Sequence, residues 1–243
     1  CWFVHQFQIS STQQMTDTLQ AKALKTITNS VEKHGLVSPC SPFMWSRFLA
    51  PQLCDKLLSS LLDLNCLTDD LVHAFIDGVV SHTGFGLNTI DLSNAGAEIT
   101  DKTLDLIATT CSNDLEALRL SASIGFTTEG LSRALRSFTR LKHIKLARTM
   151  NVSDAVVRSL SSSLVSVDLT RCSSITGDSV AELASRCAGN LQHLLLFSCN
   201  QVARQKGSLT RIARSCPNLT SLTLSRCPSL QDDDLIQVLT NCN

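Results

Sequence analysis

The sequence predicts an α/β solenoid, an open horseshoe with parallel strands on its concave face and helices on its convex face. Three observations predict it. An L-x-x-L-x-L segment recurs six times, starting at Leu87, Leu115, Leu141, Leu164, Leu191 and Leu219, at intervals of 28, 26, 23, 27 and 28 residues. Three residues past the last apolar position of each segment comes Ala95, Ser123, Thr149, Cys172, Cys199 or Cys227. An apolar residue, a polar capping residue and an amphipathic run follow in turn. One such unit cannot bury its own apolar face, whereas stacked units bury it against their neighbours.

Each strand is read from its apolar triplet: Leu87, Ile90, Leu92; Leu115, Leu118, Leu120; Leu141, Ile144, Leu146; Leu164, Val167, Leu169; Leu191, Leu194, Leu196; and Leu219, Leu222, Leu224. The residue inside L-x-L points to the opposite face, because side chains alternate along a strand. Helix starts are read from Ile99-Thr100-Asp101, Phe126-Thr127-Thr128, Val152-Ser153-Asp154 and Ile175-Thr176-Gly177-Asp178. Thr, Ser and Asp oxygens accept hydrogen bonds from the free amides of a first helical turn. The runs Leu104, Ile107, Ala108 and Val180, Leu183, Ala184 supply the apolar helix faces. The period lies within the range of leucine-rich repeats.

About six repeats therefore occupy residues 87–243. Residues 51–86 read as capping helices and a partial repeat. Leu53, Leu57, Leu58, Leu61 and Leu62 lie on an amphipathic helix, and Cys66-Leu67-Thr68-Asp69-Asp70-Leu71 looks like the helix half of a further unit. Residues 1–50 are rich in Gln, Ser and Thr without a repeat, with one helix from Asp17 to Lys33 and loops marked by Pro39, Pro42 and Pro51. Cys242 falls where another repeat would begin.

Hydrophobic residues make up 43% of the chain and charged ones 17%, enough apolar material for an extended core. Twenty-one basic residues balance twenty-one acidic ones, so no net field draws the protein to nucleic acid or a membrane. The longest apolar runs are too short for a membrane helix. The eleven cysteines follow the repeat and form no C-x-x-C cluster, which favours reduced, buried thiols and a cytoplasmic or nuclear setting. Cys172, Cys199 and Cys227 are expected to form a ladder at the bend and not a metal or redox site. No G-x-S-x-G, P-loop or HExxH motif occurs, and neither a catalytic centre nor a metal or cofactor is expected. Asp232-Asp233-Asp234 sits where a helix cap belongs, and acids are favourable there.

Cys216-Pro-Asn-Leu219-Thr-Ser-Leu222-Thr-Leu224-Ser-Arg-Cys227 resembles the repeat of the cysteine-containing leucine-rich-repeat family. That family includes F-box/LRR proteins and their AMN-type and Rad-type relatives. The resemblance covers residues 87–243, with Ser123 and Thr149 replacing cysteine in the second and third units. It implies a protein-interaction scaffold, with a role as substrate receptor or adaptor of a ubiquitin ligase and a cullin-ligase adaptor as partner. The alternative is a structural or assembly scaffold with no ligase role. Ala50-Pro51-Gln52-Leu53-Cys54-Asp55-Lys56-Leu57-Leu58 resembles the opening of an F-box, but the Val-Cys-x-x-W element of that domain is absent.

The column inside L-x-L reads Asp91, Arg119, Lys145, Asp168, Leu195, Thr223. Lys142, His143, Arg148 and Arg171 lie beside it, which gathers basic groups on repeats two to four of a neutral chain. His193, Leu195 and Phe197 add an apolar step on repeat five. Arg119, Lys142, His143, Lys145, Arg148, Arg171, His193, Leu195 and Phe197 are the candidate partner-binding residues, for a protein that is acidic or phosphorylated. Nucleic acid is the least favoured ligand, since no aromatic residues interleave with the basic ones.

Overall fold

The computed structural model describes residues 67–83, 87–205, 207–227 and 232–241. The helices expected within residues 1–64, the F-box-like stretch and Cys242 lie outside these ranges.

Among the described residues, six three-residue strands form one sheet: β1 (Thr89–Asp91), β2 (Ala117–Arg119), β3 (His143–Lys145), β4 (Ser166–Asp168), β5 (His193–Leu195) and β6 (Ser221–Thr223). All neighbours are parallel and the strand order is the chain order, so the sheet grows by one strand per repeat. Its register places Ile90, Leu118, Ile144, Val167, Leu194 and Leu222 in one row. The first five are buried, whereas Leu222 and Leu224 are only half-buried on the last described strand.

Among the described residues, seven helices alternate with or flank the strands: α1 (Asp69–Thr83), α2 (Asp101–Thr110), α3 (Thr128–Leu135), α4 (Asp154–Arg158), α5 (Gly177–Arg186), α6 (Ser208–Ser215) and α7 (Asp232–Asn241). Each packs on the next along the array. Strands in a sheet lie about 4.8 Å apart, whereas packed helices need about 8–10 Å. The sheet therefore lines the inside of the curve and the helices the outside. The shortest sequence interval, 23 residues, is absorbed by α4, which has five residues where the other inter-strand helices have eight or ten.

The capping expectation holds in part. Thr100 accepts from the Lys102 N–H at 3.3 Å, and Thr127 from the Gly130 N–H at 3.0 Å. Ser153 and Thr176 make no side-chain cap bond. The Thr176 hydroxyl instead donates at 2.8 Å to the carboxylate of Asp154, one repeat back. Asp69 and Asp101 do the same for the next unit: the hydroxyls of Thr100 and Thr127 donate to them at 2.6 and 2.5 Å. Asp154 and Asp101, read from sequence as capping residues, stand in the first turn and serve as staples between repeats.

Candidate functional site

The same bend closes every strand. In the first five repeats the amide three residues past the last strand leucine donates back to that leucine's carbonyl, as from Thr149 to Leu146 at 3.2 Å and from Cys172 to Leu169 at 3.0 Å. The residue just before the donor has positive φ in all six units: Asn94 (62°), Ala122 (56°), Arg148 (62°), Arg171 (61°), Ser198 (59°) and Arg226 (58°). A left-handed residue at this point of a turn suits Gly or Asn, and other residues lose about 1 kcal/mol there. The ladder enforces it, because these amides continue the sheet. Those of Arg148 and Arg171 donate to the carbonyls of Thr170 and Phe197, both at 2.8 Å.

Inside the bend, side chains donate to the preceding repeat. Ser123 reaches the Leu92 carbonyl and Thr149 the Leu120 carbonyl, both at 2.8 Å. Cys172 reaches Leu146 at 3.3 Å, Cys199 reaches Leu169 at 3.0 Å and Cys227 reaches Leu196 at 3.6 Å. Burial pushes the Cys172 thiol up to about 12 and the Cys199 thiol up to about 11. Such protonated, enclosed thiols are poor nucleophiles and poor ligands. Among the described residues, no group of three or more His, Cys, Asp or Glu side chains could hold a metal ion. Nor is any described helix long and apolar enough to cross a membrane.

On the concave face the register brings Asp91, Arg119, Lys145, Asp168, Leu195 and Thr223 into one row, and Ala117, His143, Ser166 and His193 into the row beside it. His143, Lys145 and His193 are exposed and Leu195 is half-buried. The basic group is partly neutralised from within. Arg119 lies 3.7 Å from the Asp91 carboxylate, and Lys142 lies 3.0 Å from Glu116, which also meets Arg140 at 3.4 Å. Hydrogen bonding from Lys142 holds the Glu116 carboxyl below its ordinary value. Lys145, Arg148 and Arg171 have no acidic partner within ion-pair distance among the described residues.

Arg148 and Arg171 stand at the positive-φ positions, on the rim where the strands end, and not within the strand rows. Phe197 is half-buried there, with the Arg171 guanidinium carbon 6.0 Å from its ring centroid. Arg226, absent from the sequence-derived set, approaches the same ring at 5.7 Å from the following repeat. Two further rim residues escaped the sequence reading. Ile124 and Met150, each two residues past the positive-φ residue of its bend, are 63% and 83% exposed. They are two of the three exposed large hydrophobic residues among those described.

No family model matches the chain. Over 107 residues it is 33% identical to F-box/LRR-repeat protein 4 of Bos taurus; the match covers 42% of this chain and 17% of that protein. The chain thus spans well under two thirds of that relative's length. A chain in the solved structure of the Rad7 and Elc1 complex in yeast is similar over 93% of this chain and 78% of its own length, at 15% identity and a TM-score of 0.44.

Proposed function

We propose that this chain is a protein-interaction scaffold that holds a partner on its concave face and the adjoining rim by binding and not by catalysis. The observation that carries the reading is the open sheet face. Among the described residues, its outward side chains other than Ala117 are exposed or half-buried, and Lys145, without an ion pair there, lies in the same row as half-buried Leu195. A face that mixes Arg, aromatic and apolar side chains has the composition of a protein interface. Within this reading, the resemblance of the repeats to those of F-box/LRR proteins supports a substrate receptor or adaptor of a ubiquitin ligase, working in the cytoplasm or nucleus. The partial match to F-box/LRR-repeat protein 4 supports it too.

The test is affinity purification of the full-length protein from its own cells, with mass spectrometry, beside a Lys145→Glu variant. Recovery of a cullin and its adaptor supports the ligase role. Another partner without them leaves a structural or assembly scaffold. A partner that the variant retains in full argues against the concave face as its seat. Lys145 is preferred to Arg119 for reversal because it forms no ion pair among the described residues, whereas reversal at 119 would also break the pair with Asp91.

A further inference from the structure

Charge is segregated along the array although the chain is neutral overall. Residues 67–129 hold ten acidic and two basic side chains, and residues 130–231 hold four acidic and fourteen basic ones, so the sign changes between repeats two and three. The change is visible on the side of the array where strands end and helices begin. Asp70 stands in the first turn of α1, Glu98 in the loop between β1 and α2, and Glu129 in the first turn of α3. Arg148, Arg171 and Arg204 stand in the bends that follow β3, β4 and β5. All six are exposed, and among the described residues none forms an ion pair. An acid near a helix N-terminus is favourable in any repeat, which accounts for Asp70 and Glu129 but not for the arginines beyond repeat two. Where the sign changes, the same side carries Ile124 and Met150, 63% and 83% exposed on adjacent repeats.

We infer that this side is the interface of a symmetric dimer, on which a second copy of this chain stacks in the reverse direction. A two-fold axis between repeats two and three, lying in the plane of contact, superposes the two arrays with sheet over sheet and helices over helices. It sets repeat two over repeat three of the second copy, repeat one over repeat four, and α1 over the bend of repeat five. Glu129 then faces the repeat that carries Arg148, Glu98 the repeat that carries Arg171, and Asp70 the bend that carries Arg204. Each contact occurs twice, as a two-fold interface requires. Ile124 and Met150 of both copies meet at the axis, so an apolar centre is flanked by opposite charges, as in protein interfaces generally. Two residues break the segregation on this side, Lys102 near the start of α2 and Asp178 near the start of α5. They belong to repeats one and four, which the axis places together, so they too face an opposite charge, although Asp178 already holds Arg211 at 2.7 Å. Head-to-tail stacking lacks this match, because Asp232 and Asp233 open α7 at the far end of the array and would meet the acidic repeats. An unrelated acidic partner on the arginines would leave Asp70, Glu98 and Glu129 without a role. The inference stands without the scaffold reading, and it leaves both concave faces open, side by side.

Charge exchange tests it. The whole chain is examined by sedimentation velocity over about 1–100 μM. The wild type is expected to show a monomer–dimer equilibrium that weakens about tenfold or more when salt rises from about 50 to about 500 mM. Glu98→Arg and Arg171→Glu each set like charges against one another twice, and each variant alone is expected to be monomeric. An equimolar mixture of the two restores opposite charges at both contacts and dimerises, which also shows that neither variant has lost its fold. Met150→Asp, at the apolar centre, weakens the wild-type dimer about tenfold or more. A wild type that stays monomeric across the whole range overturns the proposal. So does a dimer that both charge reversals leave intact, or one that the mixture fails to restore. Assemblies that keep growing beyond two copies with concentration overturn it in favour of open stacking.

Discussion

Asp69 allows the staples between repeats to be measured. Its carboxylate accepts the Thr100 N–H at 2.8 Å, the Thr100 hydroxyl at 2.6 Å and the Thr103 hydroxyl at 2.6 Å. Thr103 is fully buried, so its hydroxyl gains no water when the carboxylate is removed. Hydrogen bonds to a charged group contribute about 1.5–3 kcal/mol each where they are well formed. Asp69 is half-buried, which places its bonds at the lower end of that range. Asp69→Ala is therefore expected to cost about 4.5 kcal/mol in urea unfolding followed by circular dichroism. Asp69→Asn, which keeps one acceptor oxygen, costs about 2 kcal/mol. Combined with Thr103→Val in a double-mutant cycle, Asp69→Asn should show a coupling of about 1 kcal/mol or more.

The pH dependence follows from the same contacts. Burial works against ionisation of Asp69, but the hydrogen bonds from Thr100 and Thr103 outweigh it and hold the carboxyl below its ordinary value of 3.8. A depressed folded value means that the stabilisation is complete above the unfolded value and is lost as pH falls through the folded one. The gap between wild type and Asp69→Asn should accordingly be constant near neutrality and close below about pH 4. A gap that persists unchanged into acid, or a cycle that is additive within about 0.3 kcal/mol, refutes the staple.

Two other substitutions test the bend and the stacking. Cys199→Ser keeps the donor to the Leu169 carbonyl and should cost no more than about 1 kcal/mol, whereas Cys199→Val should cost about 2 kcal/mol. The reverse order in urea unfolding sinks the ladder hydrogen bond. A Cβ at Gly125 would run into the backbone carbonyl of Ile99, which cannot swing aside as a side chain can. Gly125→Ala should thus lower stability by about 2 kcal/mol or more, read as a fall in Tm, and an unchanged Tm contradicts the close approach of the first two units.

The strands and the ladder were legible because burial enforces them. Ile90, Leu118, Ile144, Val167 and Leu194 repeat with a strand's alternation, and Ser123 and Thr149 keep a small donor where cysteine otherwise stands. Even the short α4 was foreshadowed by the 23-residue interval. Pairing across strands was less legible. Arg119 meets Asp91 and Lys142 meets Glu116 only because the register sets them side by side, and a change of one residue in that register would separate them. The rim was least visible. Positive φ announces itself through glycine, and here the residues are Asn, Ala, Arg, Arg, Ser and Arg. Ile124 and Met150 fall outside the repeating apolar pattern, and nothing in that pattern marks them as exposed.

That contrast also bears on where recognition resides. Buried strand positions admit few side chains, and face positions are tied to their neighbours by cross-strand pairing, as Arg119 is to Asp91. The positive-φ residue of each bend is constrained in conformation alone. Its amide continues the ladder and its side chain leaves the protein, so the fold would be served best by glycine or asparagine, as at Asn94. Arginine at 148, 171 and 226 costs about 1 kcal/mol at each position and gains no ion pair among the described residues. Two of these three arginines converge on one half-buried ring, Phe197. Arg171 and Arg226 recover part of that cost from the Phe197 ring, whereas Ala122 and Ser198 stand at the same φ without such a contact.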